Sequence, residues 1–268
     1  MGGGVDNRRR QAAMAETEID HQNEHSFDCK LQAWFSLPLG SYLLGQENLR
    51  IGRILPKLFG YHVLQIGRPG HQDFLASSTI SHKIVMLFGS SADLRCKCSL
   101  LGDEESLAFE SDSLDVVVLP HVLEFVANPH KLLREVERIL IGEGHLLVTG
   151  FNPWSLWGLC RLLLFWREEP PWSGHFYGSA RIKDWLSLLD FELLENQHFF
   201  FRPPVQKQSL MQKLVFLETL GKHCWPVFGG AYVIVAKKRV VPLTPVKMRW
   251  SARRQLIASG IIEPGTPG

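Results

Sequence analysis

The sequence predicts an α/β fold, a three-layer sandwich in which helices cover a mostly parallel seven-stranded sheet. Three observations carry that expectation. Apolar runs recur between residues 61 and 151 at strand length, and one of them, Leu114–Pro120, is too apolar to have a wet face. The segment 128–142 carries a helical stripe between two such runs, which makes a strand–helix–strand unit. Two further runs, 191–201 and 231–239, follow a change in composition and complete the count of strands.

The elements follow in order. Residues 1–30 are polar and unpatterned, and are expected to be a disordered leader. Residues 31–60 place Tyr42, Leu43, Leu49 and Ile54 at helical spacing, and read as one or two helices ahead of the sheet. Strands are expected at 61–67, 82–89, 94–100, 114–120 and 145–151. The helix within 128–142 puts Leu132, Leu133, Val136, Ile139 and Leu140 on one face, with Arg134, Glu135, Glu137 and Arg138 mostly off it. Asn128 suits its cap, Pro129 its first turn and Gly142 its end. Residues 152–178 are aromatic and Pro-rich, and are expected to be an insertion that caps the sheet. A last helix begins with Ser179 as its cap and carries Ile182, Trp185, Leu186 and Leu189. Residues 31–239 thus form the domain, and 240–268 a basic tail: from Lys237 onward the chain has seven Lys or Arg residues and one acid, Glu263.

Composition narrows the class. A net charge of +2 leaves no strong drive towards nucleic acid or acidic lipid, so nucleic acid is not an expected partner. The five cysteines are odd in number and scattered, which suits free thiols in a reducing, cytoplasmic setting. Cys96 and Cys98 fit one face of a strand better than a zinc knuckle, and no metal site is expected. No apolar h-region follows the N-terminal basic residues, and Asp6 stands where a myristoylation signal needs Ser or Thr. No run reaches membrane-span length. The nearest, 154–166, contains Arg161 and has a rival role as an amphipathic surface helix in peripheral membrane contact.

The stretch "VLQIGRPGH", residues 63–71, leads an apolar run into a glycine, as a nucleotide-binding turn does. Pro69 and His71 stand where further glycines would be. A dinucleotide site asks for G-x-G-x-x-G and an acid about 20 residues on. Here only Gly67 and Gly70 are present, and the second strand ends in Gly89, Ser90 and Ser91, which speaks against NAD.

Later segments are more specific. Asp103, Leu107 and Phe109 follow the pattern D-x-x-x-L-P-F after a third strand. Leu114-Asp115-Val116-Val117 through His121, Leu123 and Glu124 follows FDxVxxxxxLxH. Leu133-Arg134-Glu135-Val136-Glu137-Arg138-Ile139-Leu140, then Gly142-Glu143-Gly144, follows LREVxRVLxPGG. Over residues 60–152 the chain resembles the class I S-adenosylmethionine-dependent methyltransferases of the type 11 branch. "WFSLPLGSYLLGQE" and "GFNPWSLWGL" resemble a bacterial subgroup of it with an altered glycine turn.

The resemblance implies a Rossmann-like sandwich whose final strand is antiparallel, and S-adenosylmethionine as cofactor. It implies cofactor contacts at Gln65, Gly67, Gly70, Ser90, Asp103, Leu107, Pro120 and His121. Gly67 and Gly70 would allow close backbone approach, Gln65 stands for the usual acid, and Asp103 would accept from the adenine amino group. Between the second strand and Asp93 there is no acid to grip the ribose, so weak binding or a substitute such as Ser90 is expected.

Methyl transfer needs a base only where the acceptor must lose a proton. Candidates on the acceptor side are His121, Asn152, His175 and Tyr177. Trp154 interrupts the N-P-P-[FY] motif of amino-group methyltransferases, so no adenine or glutamine acceptor follows. A small, partly apolar acceptor under the 154–166 cap is expected. Two other functions compete: a non-catalytic binding or regulatory protein on the same fold, and RNA methylation, which rests on the basic tail alone.

Overall fold

The structure is a computed structural model that describes residues 31–88, 99–102, 106–163, 170–205 and 213–240. The expected leader, most of the basic tail, Ser90, Asp103 and Cys29, Cys96 and Cys98 lie outside those residues.

A helical turn over residues 31–36 leads into helix α1, Pro38–Ile54, which has a proline in its first turn. Strands β1 (His62–Ile66), β2 (His82–Phe88), β3 (Ser99–Gly102) and β4 (Leu114–Pro120) follow. Helix α2, Pro129–Ile139, links β4 to β5, Leu140–Phe151. Then come α3 (Leu156–Leu163), α4 (Ser179–Leu188), β6 (Phe191–Phe199), α5 (Phe216–Cys224) and β7 (Ala231–Lys238). The strands make one sheet in the order β3-β2-β1-β4-β5-β7-β6. β1 to β5 run parallel, and β7 is antiparallel to both of its neighbours. This is the expected three-layer sandwich with an antiparallel last strand.

Strand alternation sorts the core into two layers. Val63, Val116, Val118, Leu147, Val233 and Val235 face the layer that contains α1. Leu64, Ile66, Val117, Leu119, Leu146 and Ile234 face α2 and α4. A strand that is buried on both faces cannot alternate in polarity, which is why β4 reads as a continuous apolar run.

The β1–β2 connection departs from a doubly wound sheet. It holds only two short 3-10 turns, Pro69–His71 and Phe74–Ser77, with no α-helix. Pro69 and the left-handed Gly70 break any regular helix there. That face of the sheet is closed instead by α1, through Leu39, Leu43, Leu44, Ile51 and Ile54.

Four local expectations need correction. Helix α2 ends at Ile139, so Leu140 and Gly142 belong to β5, where Leu140 pairs with Leu114. Asn128 makes no side-chain cap; its backbone oxygen accepts from Lys131 and Leu132. Ser179 is the first residue of α4, and Gly178 stands at the cap. Leu49 faces solvent, because α1 lies on the sheet along a different stripe. The third strand begins at Ser99, and residues 94–98 lie outside the described residues.

Leu147 sits fully buried in β5 beneath α1. Leu147→Ala should cost about 2–5 kcal/mol. Urea unfolding checks this as a lower midpoint at unchanged slope; a midpoint equal to wild type would mean that α1 does not pack there.

Candidate functional site at the carboxyl edge of the sheet

The parallel strands β1 and β4 pair side by side, so their C-terminal ends form one edge. Ligands of open α/β sheets bind at such edges. Of the expected cofactor contacts, Gln65, Gly67, Gly70, Pro120 and His121 come together here.

His121 follows β4 directly and adopts a left-handed backbone, φ 54°, held by its N–H donating to the Thr149 carbonyl. Its ring is buried between two carboxylates. Nδ1 lies 2.8 Å from Glu124 Oε2, and Nε2 lies 2.6 Å from Glu47 Oε1. A neutral imidazole carries one N–H; two carboxylate partners require two. Burial alone would lower the His121 pKa, but Glu47 and Glu124 outweigh it and raise it from 6.5 to about 10. The imidazolium therefore persists at neutral pH, and the cluster carries one net negative charge in the core.

Each carboxylate has further placement. Glu124 accepts from the Phe151 N–H, and its carbonyl accepts from the His175 N–H at 2.8 Å. Tyr232 lies fully buried nearby; burial first, and the Glu124 charge second, raise its phenol well above the usual range. Its hydroxyl donates to the Tyr177 carbonyl. Glu47 stands on the stripe of α1 that faces the sheet, between Leu43, Leu44 and Ile51. Its second oxygen, Oε2, is buried without a hydrogen-bond partner, as is Thr149 Oγ1. Thr149 lies on the same face of β5 as Leu147 and Phe151, whose side chains face the α1 layer. Two orphaned polar atoms therefore lie on the α1 side of this edge.

The glycine turn is organised by the protein's own side chains. Gln65 is fully buried; its amide donates to the Gly67 and Gln72 carbonyls and accepts from the Phe74 N–H. It staples the turn to itself. Gln32 donates to the Arg68 carbonyl and accepts from the His71 N–H. Gly67 (φ 80°) and Gly70 (φ 59°) both need glycine's left-handed freedom. A Cβ on Gly67 would stand 2.8 Å from Val122, and one on Gly70 would stand 2.4 Å from Leu44 and 3.0 Å from Phe35. The group that approaches Gly70 closely is the N-terminal segment.

The other expected residues lie around this edge. Leu107 is buried on the α2 side; its N–H donates to Glu135 and its carbonyl accepts from Arg138. Asn152, just past β5, donates to the Val227 and Gly229 carbonyls and accepts from the Trp154 N–H. His175 is exposed and stacks on Tyr177. Tyr177 lines a cleft of about 740 Å³ with Trp154, Arg161, Phe176, Arg181 and Asp184. Sequence reasoning missed Glu47. Its signal was a carboxylate on an apolar helical stripe, three residues from Leu44 and four from Ile51.

The chain belongs to the class I S-adenosylmethionine-dependent methyltransferases, in the type 11 branch. A family model described as a methyltransferase domain matches residues 80–148. The chain is 31% identical over 229 residues to the protein YafS of Escherichia coli (strain K12), across 85% of this chain and 89% of YafS. Two solved structures share the fold. One, from Thermotoga maritima, is described as a SAM-dependent methyltransferase, possible histamine N-methyltransferase. It has a TM-score of 0.56 and 20% identity over 80% of this chain and 97% of that one. The other, a SAM-dependent methyltransferase from Archaeoglobus fulgidus, has a TM-score of 0.52 and 20% identity over 72% and 94%. Among the described residues, no helix is long and apolar enough to cross a membrane.

The raised pKa of His121 has a defined sign. The folded value exceeds the unfolded one, so its stabilisation is whole below about pH 6.5 and is lost as pH rises through about 10. Wild-type stability in urea should fall between pH 7 and 10 more steeply than that of His121→Gln. Parallel curves for the two proteins would contradict the buried imidazolium.

Proposed function

We propose that the protein transfers the methyl group of S-adenosylmethionine to a small, partly apolar acceptor. The observation that carries this reading is the orphaned Glu47 Oε2 in a cluster of net negative charge at the β1/β4 edge. A buried carboxylate oxygen without a donor is costly unless something supplies one. S-adenosylmethionine has net positive charge and an ammonium donor, so the charge and the missing partner fit it. That carboxylate answers the absence of an acid at Gln65.

When bound, the cofactor supplies a methyl group activated on a sulfonium. The chain's own part is placement and exclusion of water. Glu47 accepts from the ammonium. His121, with both nitrogens committed, holds Glu47 and Glu124 in position and does not act as a base at neutral pH. The acceptor is assigned to the cleft lined by Trp154, Phe176 and Tyr177, where aromatic walls meet the charged groups of Arg161, Arg181 and Asp184.

One observation favours the non-catalytic reading. Phe35, Leu44 and Gln32 cover the turn that a cofactor's amino acid end would approach. Calorimetric titration with S-adenosylmethionine and S-adenosylhomocysteine separates the two. Saturable binding weakened about tenfold to a hundredfold by Glu47→Gln supports the enzyme, since a charge-assisted hydrogen bond is worth roughly 1.5–3 kcal/mol. A thermal melt of the variant checks that it is folded. Absence of heat and of any thermal shift at millimolar ligand would leave the non-catalytic reading.

A further inference from the structure

A second concave surface lies beside this edge. Helix α3 is anchored to the core by one side chain, Trp157, which stacks on Phe151 and donates its indole N–H to the Arg202 carbonyl. The rest of α3 faces outward: Leu156, Leu159, Leu162 and Leu163 are 47–69% exposed. Across from them stand Leu220 of α5 and, just beyond it, Trp225 and Phe228. The groove between has a volume of about 580 Å³. That is within the range of small-molecule sites, roughly 300–1,000 Å³.

The chemistry of the groove defines its occupant. The Ser155 hydroxyl on its wall is spent, donating to the Asn152 carbonyl and accepting from the Trp157 N–H. Among the described residues, the other polar side-chain atoms on its wall are the indole N–H groups of Trp154 and Trp225, at 73% and 57% exposure on the rim. A polar group inside would have no partner, which costs free energy, so the part of a ligand that fills the groove must be hydrocarbon. The rim continues into the 740 Å³ cleft, and the two share Pro153, Trp154, Gly158 and Leu162. That cleft carries two guanidinium groups, Arg161 and Arg181, against one carboxylate, Asp184.

We propose that the groove binds the hydrocarbon chain of a single-chain amphiphile whose anionic head reaches the Arg161 and Arg181 cleft across Trp154. This rests on the methyl-transfer reading only in making that amphiphile the acceptor; the binding itself does not involve the cofactor.

The test uses the full chain and sodium oleate below its micelle concentration, read by calorimetry and by tryptophan fluorescence. One-site saturable binding is expected. Leu159→Glu and Leu220→Glu, both on exposed walls, should each weaken it at least tenfold with an unchanged melting temperature. Arg181→Glu should weaken oleate more than oleyl alcohol. No saturable oleate binding, or binding indifferent to both wall variants, overturns the proposal. Two further results overturn it in favour of another occupant. One is binding to phosphatidylglycerol vesicles without binding of monomeric oleate, which marks a membrane face. The other is a dimer, abolished by Leu159→Glu, that does not bind oleate, which marks a contact between copies. Oleate binding in a protein that shows no heat with S-adenosylmethionine keeps the site and removes its role as acceptor pocket.

Discussion

The arrangement at the carboxyl edge depends on one buried ion cluster. His121 directly follows β4, Glu124 lies three residues further on, and Glu47 comes from a helix 74 residues earlier. Removing either carboxylate would leave one N–H of a buried imidazolium without its acceptor, and an unsatisfied buried donor costs roughly 1–3 kcal/mol. The cluster thus fixes where α1 crosses the sheet. It also ties the end of β4 to β5, because Glu124 accepts from Phe151 and His121 donates to Thr149.

From that crossing follows the unusual treatment of the first turn. A doubly wound sheet ordinarily covers β1 with the helix that leaves its own C-terminal end. Here Pro69 and Gly70 prevent such a helix, and α1 takes its place. The glycines still serve close approach, but to Leu44, Phe35 and Val122. Gln65 fits the same economy. An acid there would carry a second buried negative charge beside the cluster, whereas an amide can both donate and accept, and it uses both abilities to close the turn. The carboxylate at this edge stands on the helix, at Glu47, and not at the end of the strand.

The surface beyond β5 shows a different physics. Asn152 is not available for chemistry, since its amide nitrogen ties β5 to the segment before β7 and its amide oxygen accepts from the Trp154 N–H. What remains open is apolar: α3, α5 and the residues after α5 present leucine and aromatic side chains to solvent around a concave centre. Contiguous exposed apolar surface of this kind marks binding surfaces more often than chance, whereas isolated exposed leucines do not.

Strand positions, their burial on both faces and the α2 crossover were legible in the sequence, because they rest on local periodicity and on one residue's side of a pleat. The glycine turn was legible as a turn for the same reason: φ is a local property, and glycine tolerates positive values. Helix ends were less so; Leu140 looks helical by spacing, yet pairing with Leu114 claims it for β5. Glu47 could not be assigned from its neighbours, since a lone acid on an apolar stripe has no meaning until its partner is known, and the partner is 74 residues away. By itself the sequence determined the layers, the family and the edge where β1 and β4 end. Only tertiary contact decided that α1 covers the turn, that His121 is charged, and that an unpaired carboxylate oxygen stands at that edge, because charge state and desolvation belong to groups brought together across the whole fold.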